Sequence, residues 1–262
     1  MTYSTAALVG ATGGAGTTRL AVELGATLAR DGREVAILDA AFATEGLARH
    51  VAGRIDPDIT KLLTEEESRP SDRRLADGLR EHPATADLAG RLELCPARAP
   101  FERMARAKTA DAAQQFEDLF DAAAEEFDHV LVDTPPVAAN QAVAAVTAAE
   151  RVAVVAPASE RGVDAVQRTR GRVADVGASV DAVLANRADP EHPVRSADAA
   201  IPESEATNVE GVPSGAPDPE ATVAPAVAHA AEVVLDVDLG LEFEDPRLLD
   251  FDAEELLPDA LS

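Results

Sequence analysis

The sequence predicts an α/β fold in which a single doubly wound, mainly parallel sheet is flanked by helices. Short runs rich in Val, Ile and Leu alternate with longer amphipathic stretches, as in strand–helix–strand units. Aromatic residues make up only 3% of the chain, so its core must be built mostly from Ala, Val, Leu and Ile, as in many helix-covered parallel sheets. A glycine-rich turn directly follows the first apolar run.

The elements can be placed along the chain from these patterns. Strands are expected at residues 6–9, 35–39, 92–95, 129–133, 151–156, 180–186 and 200–202. Helices are expected at residues 17–30, 109–126, 140–148, 162–176 and 220–235, and the charged segment 55–89 is expected to form short surface helices. Residues 1–235 therefore form one domain. Residues 236–262 carry ten acidic residues and one basic residue, which predicts an acidic linker and a short amphipathic tail.

The glycine-rich turn lies between the first strand and the first helix. Backbone N–H groups in such a turn can point toward a phosphate at the helix N-terminus. The window reads Thr12-Gly13-Gly14-Ala15-Gly16-Thr17-Thr18. Of the phosphate-binding P-loop pattern G-x-x-x-x-G-K-[ST] it keeps the second glycine, Gly16, and the final hydroxyl, Thr18, whereas Ala11 replaces the first glycine. Taken alone, the turn is equally compatible with a tight strand-to-helix connection that binds nothing.

Two strands are predicted to end in carboxylates beside this turn. Residues 127–136 read FDHVLVDTPP, so a buried strand delivers Asp133 to the edge of the sheet, where it could hold Mg²⁺ through water or cap the next helix. The second strand ends at Asp39, two residues before Ala41.

In this order, these motifs resemble the MinD/ParA family of P-loop ATPases over roughly residues 5–235. The Asn186-Arg187 pair and the Ile201-Pro202 stretch resemble the family's adenine-binding segments. The resemblance implies a Mg²⁺ site at Thr18, Asp39 and Asp133. It implies ATP binding through Gly13, Gly14, Ala15, Gly16, Thr17, Thr18, Asn186, Arg187 and Pro202.

The chain departs from the family at three charged positions. Thr12 and Thr17 stand where the family has lysines, and Ala41 replaces a second aspartate that places the attacking water. A lysine contact to phosphate contributes roughly 1.5–3 kcal/mol. The resemblance therefore implies that ATP and Mg²⁺ binding is weakened or lost, and no residue is assigned as catalytic.

Two functions follow from this pattern. The first is a pseudo-ATPase that acts in intracellular positioning or as a scaffold, similar to the atypical CpaE/TadZ-like members. The alternative is a working ATP-driven dimerisation switch, which would be an ATP hydrolase. A ligase or amidotransferase of cofactor synthesis fits poorly, because such an enzyme needs the phosphate lysine. Iron–sulfur relatives are excluded, because Cys95 is the only cysteine.

Charge restricts the partners. The formal net charge is −25, and such a surface repels nucleic acid and anionic lipid. We expect a cytoplasmic protein that binds protein partners, through the acidic tail or as a homodimer, without direct membrane binding; a solubilising, disordered tail remains the alternative. The local candidate for a DNA-binding patch is Arg168, Arg170 and Arg172. We expect these arginines to form a solvated helix end rather than to bind DNA. The acidic, lysine-poor composition favours a protein adapted to a cytoplasm rich in salt; the alternative is an ordinary acidic protein from a GC-rich genome that uses Arg in place of Lys.

Overall fold

The computed structural model describes residues 4–65 and 71–243, so the amphipathic segment expected at 248–257 lies outside the described residues. A central sheet has a hydrophobic core on each of its two faces, and these cores hold the described chain together. The strands are β1 (Ser4–Gly10), β2 (Glu34–Asp39), β3 (Arg80–Glu81), β4 (Arg91–Cys95), β5 (His129–Thr134), β6 (Arg151–Pro157), β7 (Ala182–Asn186) and β8 (Ala199–Ile201).

The helices alternate with these strands. They are α1 (Thr17–Arg30), α2 (Ile59–Leu62), α3 (Ser71–Gly78), α4 (Phe101–Arg106), α5 (Ala110–Glu126), α6 (Asn140–Ala148), α7 (Glu160–Asp175) and α8 (Ala224–Leu235). A 3₁₀ turn, Leu47–His50, follows β2, and another covers Val209–Gly211. In the described ranges, no helix has the length and apolar character needed to cross a bilayer.

The strands form one sheet in the order β3-β4-β2-β5-β1-β6-β7-β8. Each neighbouring pair is parallel except β3 with β4. The fold class predicted from the sequence is therefore confirmed. In such a sheet the ligand site lies at the carboxyl ends of the strands, and the glycine-rich turn leaves the central strand β1 at that edge.

Helices cover both faces of the sheet. On one face, α1 and α8 pack together over inward-facing residues such as Ala6, Leu8 and Ile37. On the other face, α5 and α6 pack together, and Phe116, Leu119 and Val132 belong to the core there. Because successive strand residues alternate between the faces, both faces of β1 are apolar.

Three local features differ from the sequence expectations. The segment 55–89 contains the antiparallel edge strand β3 in addition to short helices, and α4 lies in a stretch for which no helix was expected. Helix α8 begins at Ala224, where Pro225 occupies its first turn, rather than at residue 220. Beyond α8 the chain stays packed as far as Phe243, whose ring lies 5.3 Å from the guanidinium carbon of Arg30.

Candidate functional site

The glycine-rich turn lines a cavity of about 380 Å³ at the carboxyl edge of the sheet, which we call the loop cavity. Gly14 and Gly16 have φ angles of 76° and 87°, a region that residues with a Cβ rarely adopt. No side chain caps α1 at Gly16, so the first N–H groups of the helix remain available at the cavity. The backbone therefore forms the kind of N–H cradle that binds phosphate.

Gly16 also allows a close contact between the turn and β7. A Cβ at Gly16 would lie 2.3 Å from Nδ2 of Asn186, a distance that no side chain there could tolerate. The Asn186 amide donates to the carbonyl of Ala15 at 2.8 Å and accepts from the backbone N–H of Arg187 at 3.0 Å. Asn186 thus ties the turn to β7, and its expected contact with adenine stays a prediction.

Thr18 and Asp133 are brought together as the sequence predicts. The Thr18 hydroxyl donates to Oδ2 of Asp133 at 2.6 Å, from the first turn of α1 to the end of β5. Burial raises the pKa of the Asp133 carboxyl to about 6, although the hydrogen bond from Thr18 lowers it. A hydroxyl and a carboxylate in contact beside a phosphate cradle are oxygen ligands of the kind that Mg²⁺ takes.

Asp39 lies next to this pair but does not line the cavity. It is paired in register with Asp133, and it is fully buried. Its carboxylate accepts hydrogen bonds from the backbone N–H groups of Ala41 at 2.8 Å and Ala97 at 3.0 Å. Burial, followed by the charge of Asp133, raises its pKa well above the usual value. Asp39 thus holds the turn after β2, and its expected role at the metal stays a prediction.

The three positions at which the resemblance implies charged residues are all at the loop cavity. Thr12, Thr17 and Ala41 line it, so these positions contribute two hydroxyls and a methyl group there. The Thr17 side chain lies close to Gly10 at the end of β1, since a Cβ added to Gly10 would lie 2.8 Å from the Thr17 Oγ1. Thr44 and Gly46 also line the cavity, whereas Glu45 does not.

The loop cavity nevertheless contains cationic side chains that sequence reasoning missed or assigned elsewhere. Arg49 reaches it from the 3₁₀ turn Leu47–His50, and Arg187 reaches it from the end of β7. No motif marks Arg49, and only the path of the chain after β2 brings it to the site. Arg19 lines the cavity too, but its guanidinium donates to the carbonyl of Ala206 and lies 3.6 Å from Glu23.

A second cavity of about 190 Å³, the side cavity, adjoins the loop cavity at Arg19 and Arg187. Its wall includes Asn186 and Pro202, which the resemblance assigns to adenine. Glu23 organises the opposite wall, because its carboxylate accepts from the N–H and hydroxyl of Ser214 and from the N–H of Gly215. The two cavities are therefore adjoining spaces that share Arg19 and Arg187 in their walls.

Comparison with known proteins decides the family. A family model described as "AAA domain" (AAA_31) matches residues 4–184. The chain belongs to this family of MinD/ParA-like P-loop ATPases. No curated protein has a matching sequence.

Solved structures of MinD and ParA proteins share the AAA-domain fold of this chain. The MinD of Pyrococcus horikoshii, complexed with Mg-ADP, has a TM-score of 0.68 at 19% identity, covering 88% of this chain and 95% of its own. A ParA family ATPase from Chlorobium tepidum has a TM-score of 0.67 at 17% identity, with 87% and 98% covered. The MinC:MinD complex of Aquifex aeolicus gives 0.67 at 21% identity, with 91% and 98% covered. These likenesses concern the fold.

Proposed function

We propose that this MinD/ParA-like chain acts in intracellular positioning or as a scaffold, with weakened ATP binding and impaired or absent hydrolysis. The observation that carries the proposal is the composition of the loop cavity. It keeps the backbone cradle and the Thr18–Asp133 pair but has Thr12, Thr17 and Ala41 at the three charged positions. Losses confined to the positions that grip phosphate and place water weaken the chemistry and leave the fold intact.

ATP and Mg²⁺ fit the residues that remain. The N–H groups of the turn suit phosphate, the Thr18 hydroxyl and Asp133 carboxylate suit Mg²⁺, and the MinD of Pyrococcus horikoshii was solved with Mg-ADP. In this proposal the ligand is Mg-ATP and its role is to favour one conformation or one assembly. Fast turnover is not required for that role.

A working ATP switch is the second candidate, because the 2.6 Å contact between Thr18 and Asp133 is already in place for a metal. Phosphate release and binding of a fluorescent ATP analogue, both measured in molar KCl, separate the two candidates. We expect no phosphate release above background from the wild type. A Thr12→Lys/Thr17→Lys/Ala41→Asp variant should bind the analogue at least about tenfold more tightly, as expected for one restored charge-assisted contact. Wild-type turnover comparable to that of an active MinD, abolished by Asp133→Ala, would favour the switch.

We further propose a cytoplasmic protein whose partners are proteins, including a second copy of the chain. The Aquifex aeolicus MinD was solved in complex with MinC. The acidic tail is the proposed docking segment, as its carboxylates disfavour anionic lipid and nucleic acid. Truncation after Phe243 keeps the packed chain, including the Arg30–Phe243 contact. Unchanged cellular position and unchanged partner pull-down for that truncation would exclude a docking role for the tail.

A further inference from the structure

The charges around the loop cavity are opposite in sign to the charge of the whole protein. The chain has a net charge of −25. The residues that line the cavity nevertheless include Arg19, Arg49 and Arg187, against Asp133 as the one carboxylate. A cleft lined by one sign of charge concentrates ions of the opposite sign. The cavity thus attracts anions in a protein whose surface otherwise repels them.

Arg49 and Arg187 are available for such an anion, whereas Arg19 is engaged with Glu23 and the carbonyl of Ala206. Both are exposed side chains, and within residues 4–65 and 71–243 neither forms an ion pair with a carboxylate. Each can present two parallel N–H donors to phosphate oxygens.

The two arginines approach the glycine-rich turn from opposite sides. In the sheet, β2 and β7 lie two positions from β1 on either side. Arg187 follows β7 with φ 55°, and its Nη2 lies 3.8 Å from where a Cβ on Gly16 would be. Arg49 follows β2 on a segment that packs directly on Thr18, because a Cβ on Gly46 would lie 2.8 Å from the Thr18 Oγ1.

We propose that Arg49 and Arg187 replace the two missing lysines and hold the phosphate chain of a nucleotide at the loop cavity. This inference rests on the proposed function only in taking the turn as a nucleotide site. It assigns Arg187 to phosphate rather than to the base, and it gives Arg49 a binding role that no motif indicates.

The test uses the full chain and inorganic tripolyphosphate with Mg²⁺, which isolates phosphate contacts from base contacts. Displacement of a fluorescent ATP analogue gives the affinity of the wild type, Arg49→Gln, Arg187→Gln and the double variant. We expect each single substitution to weaken tripolyphosphate binding about tenfold or more, and the double variant to weaken it further. Arg161→Gln is the matched control, because it removes an exposed arginine from α7 outside both cavities. Melting temperatures confirm that all variants are folded.

Four results would overturn the arginine assignment or separate it from the proposed function. Unchanged affinity in Arg49→Gln and Arg187→Gln would overturn it, as would equal weakening in Arg161→Gln. Failure of the wild type to bind tripolyphosphate or Mg-ATP would also overturn it while leaving the positioning role in place. Rapid hydrolysis by a wild type whose binding depends on both arginines would instead support the assignment and contradict the non-catalytic function.

Discussion

The carboxyl group of Asp133 lies at the boundary between the buried sheet and the loop cavity. Burial raises its pKa to about 6, and the neighbouring Asp39 carboxyl also has a raised pKa. Two adjacent buried carboxyls without a cation between them favour the protonated forms. A metal ion reverses this preference, because it binds the carboxylate and releases the proton.

The raised pKa of Asp133 predicts that Mg²⁺-dependent nucleotide binding is lost in acid. A carboxyl with a pKa of about 6 is charged above that pH and neutral below it, so Mg²⁺ must displace a proton at lower pH. We expect the affinity that Mg²⁺ adds to fall about tenfold per pH unit below pH 6. Titration of the protein with the fluorescent ATP analogue, with and without Mg²⁺ between pH 5 and 8, measures this Mg²⁺-dependent gain in affinity. Asp133→Asn should remove both the Mg²⁺ effect and its pH dependence.

The stability of the protein without nucleotide or Mg²⁺ provides a control, because it should change with pH in the opposite direction to the Mg²⁺-dependent affinity. Because the folded Asp133 holds its proton more tightly than the unfolded chain does, the free energy of unfolding should decrease as pH rises from about 4 through 6. Asp133→Asn should reduce this slope, and Asp39 and Glu93, whose pKa values burial also raises, should contribute to what remains. A slope that is identical in Asp133→Asn would show that Asp133 is not perturbed.

At the scale of elements, the sequence predicted those whose periodicity is local. The bounds of α1 and α6 agree with the prediction. Both the pattern of a helix and the apolar runs of the strands beside it can be read from neighbouring residues. Strand β3 was missed because its two residues are defined by antiparallel pairing with β4, which no local pattern reveals. Exposed Phe101 begins the short helix α4, which buries none of its residues and so lacks an apolar stripe.

The residues of the candidate site likewise fall into those that the local sequence predicts and those that it does not. Gly13–Thr18 and Asp133 were predictable because the strand–turn–helix order carries them to one edge of the sheet. Arg49 was not predictable, since its position depends on the path of the five residues between Ala41 and Leu47–His50 and on the absence of a side chain at Gly46. Contacts made across the sheet, such as Asn186 with Ala15, likewise have no sequence signal of their own.

The contact between the glycine-rich turn and β7 predicts different effects for two neighbouring glycines. Gly16→Ala puts a Cβ 2.3 Å from Asn186 Nδ2 at a φ of 87°, so it should destabilise the fold by roughly 1–3 kcal/mol and weaken nucleotide binding. Gly13→Ala meets no atom within 4 Å, so its stability should stay within about 0.5 kcal/mol of the wild type. Denaturant unfolding measures the loss of stability in each of the two variants. Equal losses of stability would mean that the Asn186 contact does not constrain the turn.

At the scale of the whole molecule, 48 acidic residues face 23 basic ones. Within residues 4–65 and 71–243, many of these carboxylates are exposed and form no ion pair, so they repel one another at low ionic strength. Screening shortens from about 10 Å in 0.1 M salt to about 3 Å in 1 M salt, which removes most of this repulsion. The apolar core is little affected by the same change, so the salt response of stability reports mainly on the surface charge.

We therefore expect the melting temperature to rise between 0.1 M and 2 M KCl, by about 2–4 °C for each kcal/mol of repulsion removed. A variant with Asp164, Asp189, Glu191 and Glu220 changed to Asn or Gln tests the cause, because these exposed side chains have no ion pair within the described ranges. Neutralising them should raise the melting temperature in 0.1 M KCl and shrink the increase in 2 M KCl. If the wild type and this variant respond equally to KCl, then salt acts through the apolar core or through ion binding, and the acidic composition does not reflect adaptation to a salt-rich cytoplasm.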